Sequence, residues 1–199
     1  MDEQTCNLIR DFAVAQERVA ATVAGGDPKE GFLRKDIRDC YKVDTKDIHH
    51  LVQNTLYNAF TKYIEPFFGV AVEFWEPPQM LLYTEGGKYT VHADAARWVK
   101  TPDGGGRWER TIDRDISVVM YFNDEFKGGM LEFPAQKIKI KPKAGMLVAF
   151  PSTAQYRHAV ETTESGERVA LVTWAAVKGS PRVREKPGPN RVFMDNVRQ

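Results

Sequence analysis

The stretch Leu82-Tyr83-Thr84-Glu85-Gly86-Gly87-Lys88-Tyr89-Thr90-Val91-His92-Ala93-Asp94 reads as a strand, a turn and a second strand. Met80 to Tyr83 and Tyr89 to His92 are the extended segments, and Glu85-Gly86-Gly87 supplies the turn between them. Side chains two apart on a strand leave the same face, so His92 and Asp94 at the strand's end can both reach one ion. Taken alone, a histidine and an aspartate at this spacing are more often surface polar residues. The pair gains meaning from His158, at the start of a later strand, and from Arg168 ten positions beyond it. Two imidazoles and one carboxylate can fill one face of an octahedral Fe(II) and leave the other face open. Zinc accepts the same donor types.

Outward from this stretch, the chain divides by texture. Residues Thr5 to Ala24 have apolar side chains at roughly helical spacing and are predicted as a helix, stopped by Gly25-Gly26-Asp27-Pro28. Gly31 to Tyr41 reads as an extended segment entering the core. A second helix is predicted from Thr45 to Phe60, with Asp44 or Thr45 as cap and Pro66 ending any continuation. From Val70 onward short strands follow one another, namely Val70–Phe74, Ile116–Phe122, Met130–Phe133, Lys137–Ile140, Met146–Phe150, Arg157–Val160 and Arg168–Val177. Helices first and then many short strands predict an α+β, mainly β architecture, a jelly roll with the N-terminal helices packed on one face. The expected divisions are a helical support region at 1–69, the jelly-roll core at 70–177 and an extended basic tail at 178–199, in which Val192-Phe193-Met194 can dock and the basic residues are read as solvated charges. Ala95 to Asp115 is polar and glycine-rich, with Gly104-Gly105-Gly106 between Trp98 and Trp108, and reads as a long loop over the metal residues.

The bulk properties narrow the possibilities. A chain of 199 residues suits one domain with one sizeable core. The formal net charge of +1 gives no general attraction for nucleic acid or an anionic membrane. Cys6 and Cys40 form neither a metal-binding spacing nor a disulfide framework, which predicts two reduced thiols. No apolar run reaches membrane-spanning length. A cytoplasmic protein, monomeric or homodimeric, with no nucleic-acid or membrane partner, is the expectation.

Further motifs recur in order along the second half. Val119-Met120-Tyr121-Phe122-Asn123 is followed by Gly128-Gly129-Met130-Leu131-Glu132-Phe133-Pro134. Lys141-Pro142-Lys143-Ala144-Gly145 then leads into Met146 to Phe150, and His158-Ala159-Val160 leads through Gly166-Glu167-Arg168 to Trp174. Together with Leu82 to Asp94, these segments resemble the prolyl 4-hydroxylase-like branch of the Fe(II)/2-oxoglutarate-dependent dioxygenases, from about Gln79 to Val177. The resemblance implies a double-stranded β-helix core, with Fe(2+) and 2-oxoglutarate as cofactors, O2 as cosubstrate and ascorbate as reductant. It implies His92, Asp94 and His158 as metal ligands and catalytic residues. Arg168 would hold the distal carboxylate of 2-oxoglutarate, a task suited to a planar, permanently charged fork. Tyr83 would give the cosubstrate a hydroxyl, and Trp174 would wall the pocket.

The implied reaction oxidises an unactivated C–H bond to an alcohol, with 2-oxoglutarate converted to succinate and CO2. The carboxylate at Asp94 favours hydroxylation over halogenation. Leu131 or Glu132 stands where many collagen-type enzymes carry threonine, which weakens a reading of collagen-like substrate handling. A prolyl residue, a free amino acid and another small metabolite all remain open, with a small molecule or short peptide preferred. Arg97, Trp98 and Trp108 are the candidate substrate residues in the loop, where a lid held by its two tryptophans would explain them as well. Two other readings use the same scaffold: a catalytically silent jelly roll that binds a metal or partner, and a nucleic-acid demethylase. The intact ligand set with Arg168 argues against the first. The lack of a basic surface signal and of that group's arginine pattern argues against the second.

Overall fold

The computed structural model describes residues 1–24, 31–188 and 190–197. The expected helix stop at Gly25-Gly26-Asp27-Pro28 and the tail's Pro189 lie outside the described residues. Two antiparallel sheets face one another. The larger has eight strands and runs Arg18–Ala20, Tyr41–Val43, Gln79–Tyr83, Arg168–Val177, Ile116–Tyr121, Leu147–Pro151, with Val72–Trp75 and Val192–Phe193 added beside the far end of Arg168–Val177. The smaller has five: Ile138–Ile140, Leu131–Phe133, His158–Val160, Lys88–His92 and Arg38–Asp39.

Strand periodicity explains both the core and the site. Ile116, Val118 and Met120 pack with Val169, Leu171, Met80 and Leu82 against Ile9, Val52, Leu56 and Phe60 of the helices. The alternate residues Val119, Tyr121 and Ala170 face the space between the sheets, as do Leu81 and Tyr83. Each central strand is thus covered on both faces, and Ile116–Tyr121 is accordingly apolar almost throughout, with Ser117 the exception. Apolar burial on the helix side is the main stabilising contribution, at about 25 cal/mol per Å² of area removed from water.

Four expectations need correction. The first helix spans Glu3–Ala15, capped by Asp2, whose carboxylate accepts from the Thr5 N–H (2.8 Å). It does not run to Ala24, because Arg18–Ala20 pairs with Tyr41–Val43 at the sheet edge and Val23–Ala24 pairs with Gly31–Phe32. Sheet hydrogen bonds there override the local helical pattern. The second helix begins with a 3-10 turn at Lys46–Ile48, where Asp44 accepts from the Lys46 N–H (2.9 Å), and continues as His49–Ala59. Pro66 does not end it. A widened π turn at Phe60–Ile64 precedes the proline, which sits in the first turn of Glu65–Phe68, and Gly69 (φ 64°) makes the stop. Such a turn relieves the clash between a proline ring and the preceding carbonyls.

The long loop is instead a β-hairpin. Ala96–Lys100 pairs with Gly106–Arg110, with Trp98 directly opposite Trp108. The two rings meet edge to face at 5.7 Å, and a Cβ on Gly106 would come within 2.5 Å of the Trp98 ring. The glycines therefore serve the turn and this close approach. Finally, the tail docks through Val192-Phe193-Met194 as expected, but not all of its arginines are solvated. Val192–Phe193 pairs with Val72–Trp75, Met194 is buried, and Arg182 bridges Asp115 and Glu73. Arg182 and Arg191 are consequently structural ion-pair partners and not solvated charges. No helix among the described residues is long and apolar enough to cross a membrane.

Candidate active site

His92 ends one strand of the smaller sheet and His158 begins its antiparallel neighbour, and the two are direct register partners. Asp94 lies just past the strand end. The His92 Nε2 is 3.7 Å from one Asp94 oxygen, and the His158 Nε2 is 3.6 Å from the other. One donor atom from each residue falls within 4.8 Å of the other two, a spacing that a single ion can bridge. Among the described residues this is the only such cluster of histidine, cysteine and carboxylate groups.

The surroundings fix the orientation of each donor. The His92 Nδ1 donates to the Thr90 carbonyl (2.8 Å) and the His158 Nδ1 to the Tyr156 carbonyl (3.1 Å). A carbonyl can only accept, so the Nε2 lone pairs are left free and point toward Asp94. The Ser117 hydroxyl donates to Asp94 (2.6 Å) and is itself linked to Ser152 (2.7 Å). Burial and the neighbouring His158 push the His92 imidazole down to about 3. Burial raises the Asp94 carboxyl, but His158, His92, Ser117 and Trp174 outweigh it and hold the group below the usual carboxylate range. A neutral imidazole beside an ionised carboxylate is the protonation state a cation needs.

Arg168 stands farther in. It is 1% exposed, its Nε donates to the Gly129 carbonyl (3.0 Å) and its Nη2 to the Tyr121 hydroxyl (3.3 Å). The guanidinium lies between the Tyr83 and Tyr121 rings, 4.7 and 4.9 Å from their centroids. Burial raises both phenols. No carboxylate pairs with Arg168 among the described residues, so a permanent cation is buried without a counter-charge. Gly129 (φ 59°) makes room for it, because a Cβ there would meet the Arg168 Cδ at 2.9 Å. The glycine pair in the Gly128-to-Pro134 segment thus has a physical reason.

His92, Asp94, His158, Arg168, Tyr83 and Trp174 all line one cavity of about 900 Å³. Arg97 lines it as well. Trp98 and Trp108 do not: they pair on the outer side of the hairpin, Trp98 half exposed and Trp108 beside Arg157. Several site residues are not among those the sequence singles out. Arg114 donates to the Asp94 backbone carbonyl (3.0 Å), forks onto Glu76 (2.7 Å to each oxygen) and covers the Trp174 ring at 3.7 Å. Ser117 is legible in principle, since it shares a strand face with Val119 and Tyr121. Arg38 and Glu76 carry no local signal.

The comparisons agree with this geometry. The sequence profile of the 2OG-Fe(II) oxygenase superfamily matches residues 78–176, and the chain belongs to that superfamily. Prolyl 3-hydroxylase 3 of Mus musculus is 37% identical over 94 residues, which are 43% of this chain and 13% of that protein. A PKHD-type hydroxylase of Pseudomonas fluorescens is 35% identical over 104 residues, 49% of this chain and 42% of that one. The match therefore spans less than half of either relative. Among solved structures, a Pseudomonas putida prolyl-4-hydroxylase superposes with a TM-score of 0.60 at 21% identity, covering 90% of this chain and 89% of that chain. That likeness establishes the jelly-roll fold. The superfamily uses Fe(II), 2-oxoglutarate and O2, and the His-Asp-His donor set with a counter-charge-free Arg168 in one cavity fits the first two.

Proposed function

We propose that this chain is an Fe(II)/2-oxoglutarate-dependent hydroxylase in which His92, Asp94 and His158 hold the metal and Arg168 holds the cosubstrate. The observation that carries this is the placement of a three-donor cluster and a buried, unpaired guanidinium in the wall of the same cavity. Bound Fe(II) with 2-oxoglutarate supplies the activation of O2, with succinate, CO2 and a hydroxylated product as the outcome. The chain's own residues position and shield. With only three protein donors, a bound Fe(II) would keep room for the cosubstrate and O2. Arg168 would hold the distal carboxylate with its remaining guanidinium N–H groups, beside the Tyr83 hydroxyl. His158 and His92, with Ser117 and Trp174, hold the Asp94 carboxyl below the usual carboxylate range, while Val119, Leu131 and Val172 line the walls with apolar surface.

The relatives' names favour a prolyl residue as substrate, and a cavity of about 900 Å³ has room for a free amino acid or another small metabolite as well. Ascorbate as reductant, a monomer or homodimer, and a cytoplasmic location complete the reading; the unpaired Cys6 and Cys40 favour a reducing compartment. The test is stoichiometric succinate formation from 2-oxoglutarate that requires added Fe(II). Protein that binds Fe(II) but never converts 2-oxoglutarate, with or without a substrate library, would refute catalysis and leave a binding module.

A further inference from the structure

Arg168 is not the only buried guanidinium in this cavity. Arg38, on the edge strand of the smaller sheet, is 8% exposed and lines the same space. Its Nη1 donates to the Thr22 carbonyl (3.2 Å) and its Nη2 to the Gln79 amide oxygen (3.3 Å), both neutral acceptors at long range. Its Nε is buried with no hydrogen-bond partner. No carboxylate pairs with it among the described residues. A buried cation with an idle N–H is poorly satisfied by its own protein.

The position differs from that of Arg168. Arg168 is the register partner of Tyr83, whereas Arg38 contacts Gln79, at the other end of the same strand. Four residues of strand separate those anchor points by roughly 13 Å. Arg38 also stands over the Tyr89 ring (5.0 Å to the centroid), and Tyr89 stacks on His92 at 3.7 Å. The guanidinium is thus two stacking layers from a metal ligand. Lys42 lines the cavity nearby, its ammonium pKa pushed down by burial and by the Arg38 charge. Arg38, Lys42, Arg97 and Arg184 line the cavity outside any ion pair among the described residues, as Arg168 does, and Asp94 is the only carboxylate in its described wall.

We propose that Arg38, assisted by Lys42, forms a second anion subsite, and that the prime substrate is a small molecule whose oxyanion group, carboxylate or phosphate, docks there while its reacting C–H bond faces the metal residues. The subsite rests on the reading of the cavity as an Fe(II)/2-oxoglutarate site, with Arg168 taken by the cosubstrate. It makes Arg38 a determinant of substrate selection. A neutral analogue would leave the guanidinium desolvated and unpaired, and would be rejected on that ground.

Two measurements on the full chain test this. First, inorganic sulfate is titrated calorimetrically into oxygen-free protein loaded with Fe(II) and saturated with 2-oxoglutarate. One sulfate per chain should bind, and Arg38→Gln should weaken it at least tenfold, with Arg38→Lys intermediate. If Arg38→Gln melts early, Lys42→Gln replaces it, with an expected weakening of at least threefold. Failure of sulfate to bind, or equal binding in folded Arg38→Gln, overturns the subsite. Second, small carboxylic acids and phosphate monoesters are each screened beside their amide or alcohol for stimulated succinate formation. The hits should carry the anion, and which anion they carry identifies its source. Arg38→Gln should raise the KM of a hit at least tenfold with a smaller effect on kcat. Neutral partners that stimulate as well as the acids overturn the proposal. Wild-type protein that forms no succinate at all refutes the hydroxylase reading instead, and the sulfate titration still decides the subsite.

Discussion

At the floor of the cavity, Tyr83 and Arg168 are register partners on paired strands in the middle of the larger sheet, with Tyr121 accepting from Arg168 behind them, and His92 faces His158 across a ladder of the smaller one. At its mouth, the exposed Arg97 comes from a two-stranded hairpin and the exposed Val183 and Arg184 from the docked tail, while Arg38, on a two-residue edge strand, is buried. The floor is built from buried groups with shared hydrogen bonds. The mouth is built from a hairpin outside the two main sheets and from the tail, and its lining residues Arg97, Val183 and Arg184 are exposed. A reaction that needs donors within a few tenths of an ångström calls for the first construction. Substrate selection, which changes more readily, is accommodated by the second.

The contrast can be broken or sharpened by substitution. The largest effect is expected at the floor: His92→Ala with His158→Ala should abolish both Fe(II) binding and succinate formation. Metal content close to one per chain in that double variant would contradict the assignment. Next, Arg168→Ala should weaken 2-oxoglutarate binding by about 2–5 kcal/mol, since it leaves the cosubstrate carboxylate unpaired in a buried site. Lysine should restore part of this, because it lacks the bidentate fork. An unchanged Kd by calorimetry would remove Arg168 from the role. Ser117→Ala, one step behind Asp94, should lower metal affinity by roughly 10–100-fold with the fold intact. A metal titration with no change would mean that Trp174 and the two imidazoles suffice to hold Asp94.

The smallest effect on the chemistry belongs to the mouth. Shortening Gly104-Gly105-Gly106 should leave Fe(II) and 2-oxoglutarate binding within twofold. Substrate-coupled hydroxylation should fall more than uncoupled 2-oxoglutarate decay. If the shortened chain keeps full coupling, the hairpin takes no part in holding the substrate. If it loses metal, floor and mouth are not separable.

Parts of this division are legible in the order of residues alone. Near-continuous apolar runs in Ile116–Tyr121 and Arg168–Val177 mark strands covered on both faces, and turn residues bound each strand. His92, Asp94, His158 and Arg168 are singled out as candidates by residue type, order and the family resemblance of their segments. Other parts are not legible there. The helical spacing of Thr5 to Ala24 does not reveal that Arg18–Ala20 is captured by a sheet edge. The glycine-rich stretch between Trp98 and Trp108 has the composition of a flexible loop, although cross-strand packing of the two rings makes it a hairpin whose tryptophans face away from the cavity. The proline-rich tail gives no sign that Arg182 and Arg191 meet Asp115 and Glu76.

The linear pattern of the chain therefore sets the sheet faces, the donor residues and the chemistry they can perform, because these depend on local periodicity and on the intrinsic character of histidine, aspartate and arginine. Which charges stand unpaired is a property of the folded chain alone. Arg114 and Arg38 are both arginines without local distinction, yet Glu76 neutralises the first, and the second lies in the cavity with an unmatched N–H. Pairing of that kind is set by side chains tens of residues apart, brought together by register and burial, and a linear sequence read one segment at a time contains no local trace of it.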